Sequence, residues 1–85
     1  MDVQKICQRT DTAHQRAFTL KALQQQSSTT LELREAGIMS PAARIFELRE
    51  SGFIIVTMWS RERDTAGVLH RVARYHLLGE SGGVL

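Results

Sequence analysis

The fold is decided by residues 29–52, TTLELREAGIMSPAARIFELRESG. This stretch reads as two short helices separated by a turn that is too tight to be a linker. Thr29 and Glu32 have the spacing of a capping box, in which each side chain bonds the backbone N–H of the other residue. Gly37 is the residue type that ends a helix in the left-handed conformation. We therefore expect a short helix that starts after Thr29 and ends at Gly37.

The next helix has its own start and stop signals. Ser40 is suited to the N-cap, and Pro41 fits the first helical position, where a missing N–H costs nothing. The helix should run to about residue 51 and be closed by Gly52. The helical period of 3.6 residues places Ile45 and Leu48 on the side that faces the core. Ala42 should make a close approach on the same side.

Residues before this pair predict another helix, from about residue 13 to residue 25. Thr12 and Gln15 again have capping-box spacing. The apolar residues that follow recur at helical spacing. They are Ala13, Ala17, Leu20 and Leu23, with Phe18 and Ala22 widening the stripe. The polar run QQQSS at residues 24–28 should end this helix.

After Gly52 the pattern changes from helix to strand. Residues 53–59, FIIVTMW, are rich in β-branched and aromatic side chains, and residues 70–78 resume the same pattern after a polar turn. Folding the two strands about residue 66 gives one consistent core face. This predicted register places Ile55 opposite Leu77, Thr57 opposite Tyr75, and Trp59 opposite Ala73.

Composition and length indicate one ordered domain. The chain has 85 residues, of which 42% are hydrophobic and 24% charged. We expect a flexible N-terminal arm at residues 1–9, a domain at residues 10–78 and a flexible Gly-rich tail at residues 79–85. Cys7 is the only cysteine, which excludes an intramolecular disulfide. No apolar run is long enough for a membrane span or signal peptide, so we expect a cytoplasmic protein.

The residues that carry enzyme chemistry are not arranged for it. Cys7 and the three histidines do not have metal-ligand spacing. No Ser or Cys nucleophile has a placed base, and no Gly-rich loop follows a strand. We expect no catalysis, no metal, no cofactor and no small-molecule ligand.

Three helices followed by a β-hairpin are the layout of a winged helix-turn-helix, an α+β fold. Residues 29–52, followed by IVTMW and later HRVARY, resemble a small winged helix-turn-helix family that is common in bacteriophages and prophages. The likeness covers residues from about 18 to 78 and implies a DNA-binding regulator in a bacterial or phage-infected cell. Two positions depart from the family pattern. Ser28 replaces an apolar residue, which weakens a short strand before the second helix, and Leu33 replaces a small residue, which widens a helix contact.

In a helix-turn-helix the second helix of the pair enters the major groove of DNA. Its candidate contacts are Ser40, Ala42, Ala43, Arg44 and Glu47. Alanine suits a thymine methyl, Arg44 suits guanine O6 and N7, and Glu47 suits cytosine N4. The alternative for Arg44 is an ion pair with Glu47 on a solvated face.

Phosphate contacts have two candidate sources. Hydroxyls at helix N-termini bind phosphate in addition to capping, and these are Thr29, Thr30 and Ser40. The hairpin, or wing, contributes basic residues that suit the DNA backbone or the minor groove. The main candidates are Arg61 and Arg63, followed by Arg71 and Arg74 further down the strand, with His70 beside them. Nine of the eleven basic residues are Arg, although the net charge is only +2. The alternative is that these arginines keep an exposed strand soluble.

Some apolar residues fall on faces that we expect to be exposed. Phe46 lies away from the inward side of the third helix, and Ile54, Val56 and Met58 line the strand face opposite the core. Exposed apolar surface of this kind usually marks an interface, and a homodimer would bury it. The alternative is that the first helix or the N-terminal arm covers these residues.

These observations predict a phage- or prophage-encoded transcriptional regulator that binds duplex DNA, with helix 41–51 in the major groove and hairpin 53–78 as the wing. One alternative is an architectural factor of the excisionase type, which bends DNA for a recombinase. Another is a winged-helix module that binds protein and not DNA. The near-neutral third helix favours this last alternative slightly. The operator, the sign of regulation and the oligomeric state stay open.

Overall fold

A computed structural model of the protein describes residues 6–81. Its elements are α1 (Thr12–Gln25), β1 (Ser28–Thr29), α2 (Thr30–Glu35), α3 (Pro41–Glu50), β2 (Phe53–Arg63) and β3 (Leu69–Glu80). The strands form one antiparallel sheet in the order β1-β3-β2. The predicted α+β fold, with three helices before a β-hairpin, is confirmed. Most of the predicted arm and tail, at residues 1–5 and 82–85, lies outside the described residues.

Helix α1 differs from the prediction in its cap and in its buried face. Asp11 is the N-cap, and its carboxylate accepts a hydrogen bond from the backbone N–H of His14. The predicted capping box at residues 12–15 is therefore wrong, and Gln15 is buried, with 1% of its surface exposed. The predicted apolar stripe is only partly correct. Its first two members, Ala13 and Ala17, are exposed, while Leu23 is in the core.

Helix α2 has the predicted capping box. The hydroxyl of Thr29 accepts from the Glu32 N–H at 3.0 Å, and the Glu32 carboxylate accepts from the Thr29 N–H at 2.8 Å. Gly37 follows the helix with a φ of 101°, in the left-handed region where glycine has no steric penalty. A side chain there would also meet the backbone carbonyl of Cys7. The turn therefore requires glycine for two separate reasons.

Helix α3 begins as predicted, but the alanine predicted to approach the core does not do so. Pro41 occupies the first helical position and is buried, together with Ile45 and Leu48. Ala42 is exposed, so its predicted close approach to the core is wrong. Ser40 is the N-cap residue, yet its side chain makes no capping hydrogen bond.

The hairpin has the predicted register, and its three expected cross-strand pairs are all present. Both strands are longer than predicted, and β3 extends through Gly79 to Glu80. A register shift lies between Ile54 and Ile55. The core face is shorter on β2 than expected, because Ile55 is buried while Thr57 and Trp59 are exposed. Beyond Ile55 this face of β2 therefore lies outside the core, although Ala73, the partner of Trp59 on β3, is buried.

The core lies between the helices and the inner half of the sheet. Its buried members are Leu23, Leu33, Ile38, Ile45, Leu48, Ile55, Ala73 and Tyr75. Strand β1 forms despite Ser28, which pairs with Tyr75 of β3. Part of the predicted arm is attached, since the Cys7 N–H donates to the Ala36 carbonyl at 2.6 Å. Within residues 6–81, no helix is long and apolar enough to cross a membrane.

Candidate nucleic-acid interface

Helix α3 presents a small and partly apolar surface to solvent. Because its buried residues share one side, the opposite side is left for a partner. Ala42 and Phe46 are exposed there, with 63% of Phe46 accessible, and Ala43 is half-buried. Ser40 is exposed immediately before the helix. Three of the predicted contact or interface residues, Ser40, Ala42 and Phe46, are therefore exposed on this side of α3, and Ala43 is partly accessible.

The other two predicted contacts on α3 are engaged with each other. Arg44 Nη2 donates to Glu47 Oε2 at 3.0 Å, and only 14% of the Arg44 side chain is exposed. Arg44 Nε lies 2.9 Å from Glu47 Oε1, but it makes no hydrogen bond of good geometry, so this is a charge contact only. The ion pair given above as the alternative for Arg44 is thus present in the free protein.

A second arginine, which the sequence did not single out, completes this cluster. Arg16 of α1 donates from Nη1 to Glu47 Oε1 at 3.1 Å. One carboxylate therefore lies between two guanidinium groups, and the trio keeps a formal charge of +1. Arg16 and Glu47 are 31 positions apart, so spacing along the chain gave no signal for this contact.

Arg49, at the other end of α3, points to the sheet. Its Nε and Nη2 donate to the Ile55 carbonyl at 2.9 and 2.7 Å, and Nη2 also donates to Thr57 Oγ1 at 2.9 Å. Within residues 6–81, strand β2 is an edge strand, whose outward carbonyls have no strand partner. Arg49 therefore fixes α3 against this edge.

The wing has an inner face, which we define by Trp59, Arg61, Arg63 and Arg71, on the same side as the core residue Ile55. Arg61 and Arg71 are direct cross-strand partners, so their side chains point to the same side. Neither forms an ion pair with a carboxylate within residues 6–81. The Arg71 guanidinium lies 4.4 Å from the centroid of the Trp59 ring. The inner face therefore carries concentrated positive charge that no acidic side chain of the described part of the chain neutralises.

The outer face of the wing, defined by Glu62, His70 and Arg74, is neutralised instead. Arg74 lies 3.6 Å from Glu62 and 3.8 Å from Glu32, measured between nitrogen and oxygen. His70 Nε2 lies 2.7 Å from Asp64 Oδ2. The two faces of one hairpin thus differ in the charge that they offer to a partner.

Asp64 shapes the turn at the end of the wing. Its Oδ1 accepts from the N–H groups of Ala66 and Val68, both at 2.9 Å, while Oδ2 contacts His70. The hydrogen bond from His70, followed by the one from the Val68 N–H, lowers the pKa of the Asp64 carboxyl. Arg63 Nη1 donates to the Gly67 carbonyl at 2.9 Å, which places this guanidinium beside the turn.

A family model described as a winged helix-turn-helix domain matches residues 14–80. The chain belongs to the winged helix-turn-helix domain family. The match runs from the first turn of α1 to the last residue of β3, so it includes both the helix pair and the wing. No curated protein and no solved structure matches the chain. The family assignment identifies the protein as a member of a DNA-binding fold.

The predicted phosphate contacts at the helix N-termini of this winged helix-turn-helix domain differ in accessibility. Thr29 is 0% exposed and its hydroxyl is used in the cap of α2, so it presents no surface to a partner. Thr30 is half-buried. Ser40 is exposed, and the first backbone N–H groups of α3, at Ala42 and Ala43, precede the first intrahelical donor, Arg44. The start of α3 is therefore the more accessible of the two helix N-termini.

The predicted apolar interface residues of the winged helix-turn-helix domain are all exposed. Ile54, Val56 and Met58 are 43%, 37% and 57% exposed on the outer side of β2. Phe46 belongs to α3, which packs on the core side of the sheet, so the four residues come from two faces. Met39 and Leu78, which the sequence did not single out, are each 66% exposed.

Proposed function

We propose that this winged helix-turn-helix protein is a phage- or prophage-encoded transcriptional regulator that binds duplex DNA in the bacterial cytoplasm. The start of α3 enters the major groove, and the inner face of the wing binds the phosphate backbone. The observation that carries the proposal is the pair of arginines on the inner face, Arg61 and Arg71, which face each other and have no carboxylate partner within residues 6–81.

This arginine pair is unfavourable in the free protein. Like charges directly opposite each other on a sheet destabilise it, and a nearby carboxylate would remove that cost. The protein places its wing carboxylates elsewhere, since Glu62 lies by Arg74 and Asp64 lies by His70. A phosphate diester between Arg61 and Arg71 would supply the missing negative charge, with bidentate geometry available to each guanidinium.

At α3 the exposed residues suit base edges in the major groove. Ala42 and Ala43 fit thymine methyl groups, and the exposed Ser40 hydroxyl lies beside free backbone N–H groups that suit phosphate. Arg44 reaches guanine or phosphate only by leaving Glu47. Arg16 stays in contact with the Glu47 carboxylate when Arg44 moves away, which lowers the free-energy cost of breaking the Arg44–Glu47 ion pair.

The experiment is fluorescence anisotropy with a pool of random-sequence duplexes at several salt concentrations. We compare the wild type with Arg71→Ala on the inner face and Arg74→Ala on the outer face, two variants of the same strand that remove the same charge. Arg71→Ala should weaken binding and reduce the salt slope by about one unit, and Arg61→Ala/Arg71→Ala by about two. Arg74→Ala should leave the slope nearly unchanged.

Two results would contradict the proposal. One is the absence of binding even at low salt by protein whose circular dichroism shows a native fold. The other is an equal loss in Arg71→Ala and Arg74→Ala, because a general charge effect does not distinguish the two faces. Selection of preferred sequences then tests α3, since Arg44→Ala should relax the preference at one base pair.

A second candidate function, a protein-interaction module, is favoured by Phe46. This side chain is 63% exposed on α3, where both arginines of the helix are held by other groups and Glu50 is exposed. Exposed aromatic surface is a common anchor of interfaces. A homodimer that also uses Ile54, Val56 and Met58 is compatible with the DNA-binding role. Sedimentation equilibrium of wild type, Phe46→Ser and Met58→Ser would show which surface, if either, associates.

A further inference from the structure

Trp59 is a large aromatic side chain that the core does not use. It lies on the inner face of the wing, two positions beyond Thr57 on β2, and 60% of its surface is exposed. Its direct cross-strand partner is Ala73, whose methyl group covers little of an indole ring. Helices pack on the sheet near Ile55 and do not cover Trp59. Packing within the domain therefore does not account for this residue.

The surroundings of the indole are cationic. Arg71 lies over the ring, with 4.4 Å between the guanidinium carbon and the ring centroid, a cation–π contact that orients both side chains. Arg61 stands opposite Arg71 on the neighbouring strand. Trp59, Arg61 and Arg71 line one shallow open cleft. A planar aromatic surface is thus fixed beside two guanidinium groups that have no carboxylate partner among the residues that the structure describes.

This combination suits a particular ligand. An aromatic ring that accepts the face of a base, next to cations that bind the backbone, is the arrangement by which proteins hold single-stranded nucleic acid. Within a duplex both faces of a base are covered by neighbouring base pairs, so an indole plane has no base to stack on. We infer that Trp59 stacks on an unpaired base and that the inner face of the wing binds a single DNA strand beside the duplex.

This inference rests on the proposed DNA-binding function and extends it. With α3 on the duplex and an unpaired nucleotide on Trp59, the preferred ligand is a duplex that continues into a single strand or is opened locally. On this ligand Arg61 and Arg71 bind the phosphates that flank the stacked base, in place of the duplex phosphate that they bind on blunt DNA. Phosphate contact by itself does not require an exposed indole, so Trp59 is the residue that distinguishes the two kinds of DNA.

The chain has a single tryptophan, so fluorescence excited at a wavelength that tyrosine does not absorb reports on this site alone. We would titrate the full-length protein with a blunt duplex and with the same duplex carrying a short oligothymidine tail. Stacking should quench Trp59 emission with the tailed duplex much more than with the blunt one. The tail should also tighten binding by at least about fivefold, as expected for one stacked base. Anisotropy of labelled DNA gives both dissociation constants.

The decisive quantity is the ratio of the two dissociation constants, blunt over tailed. Trp59→Ala should bring that ratio close to one, while Trp59→Phe, which keeps an aromatic plane, should retain part of the preference. Because the side chain is largely exposed, both variants should keep the native circular dichroism. A preference for tailed DNA that is kept in Trp59→Phe but lost in Trp59→Ala separates stacking from a general loss of wing structure.

An unchanged ratio in Trp59→Ala would overturn the inference, as would equal quenching by blunt and tailed DNA. A wild-type ratio near one would overturn it as well. Failure of the duplex-binding proposal has a different signature, since the blunt duplex would then not bind at all. The two proposals can therefore fail separately.

Discussion

The side chain of Gln15, in helix α1, accepts a hydrogen bond from the backbone N–H of Met39 at 2.8 Å, in the turn before α3. The same amide donates from Nε2 to the carbonyls of Gly37, at 2.8 Å, and Arg9, at 2.7 Å. Gln15 thus bonds the N-terminal segment and both sides of the helix-turn-helix turn. The position from which α3 starts is set by a residue of α1.

Replacing Gln15 by alanine should destabilise the domain by roughly 3 kcal/mol, because it removes a buried side chain and leaves partly buried backbone groups of the turn without partners. Chemical denaturation measures this as a lower midpoint. Gln24→Ala is the matched control, since that residue is in the same helix and exposed, and it should change stability by less than about 0.5 kcal/mol. Equal effects of the two substitutions would show that the hydrogen bonds of Gln15 contribute little.

Gly37→Ala should be strongly destabilising, by about 3 kcal/mol or more, since it combines left-handed strain with a collision against the Cys7 backbone. Gly67→Ala isolates the first of these effects. Gly67 also has a positive φ, 82°, but open space surrounds its missing side chain. It should cost only about 1 kcal/mol. Thermal unfolding of the pair should show a larger loss for Gly37→Ala, and a similar loss in both would mean that the N-terminal segment does not press on this turn.

The features that the sequence predicted correctly follow from local rules. The cap of α2 follows from the spacing of Thr29 and Glu32, and the glycine at its end follows from the conformation required there. The hairpin register follows from alternation along two strands, because a shift by one residue would turn the core face outward.

The features that the sequence did not predict depend on contacts between distant positions. Gln15 and Met39 are 24 positions apart, and a glutamine in a helix normally reads as a surface residue. Alternation assigned Trp59 to the core face, but it does not show how far along a hairpin the helices extend. The sharing of Glu47 by two arginines required knowledge of how α1 packs on α3.

Acid should weaken the start of α1 only at low pH. The hydrogen bond from the His14 side chain lowers the pKa of the Asp11 carboxyl from 3.8 to about 2. Because this pKa is lower in the folded state, the cap contributes its stability above about pH 4 and loses it as the pH falls towards 2. Carbon NMR of the Asp11 carboxyl should give a midpoint near 2. In His14→Ala the midpoint should move back towards 3.8, while that of Asp64 should not change.

Glu47→Gln should strengthen binding to duplex DNA. The carboxylate holds Arg44 and Arg16 away from a partner and would itself be repelled by phosphates, so its neutralisation should tighten binding about three- to tenfold at low salt. The free energy of unfolding should fall by no more than about 1 kcal/mol, since the ion pairs are partly exposed.

Glu35→Gln removes the same charge from an exposed position of α2 and serves as the control. Anisotropy should show a larger gain in DNA affinity for Glu47→Gln than for Glu35→Gln. Binding by Glu47→Gln should also depend more steeply on salt than binding by the wild type. Weaker binding by Glu47→Gln would instead indicate that this carboxylate contacts a base, with cytosine N4 as the matching donor.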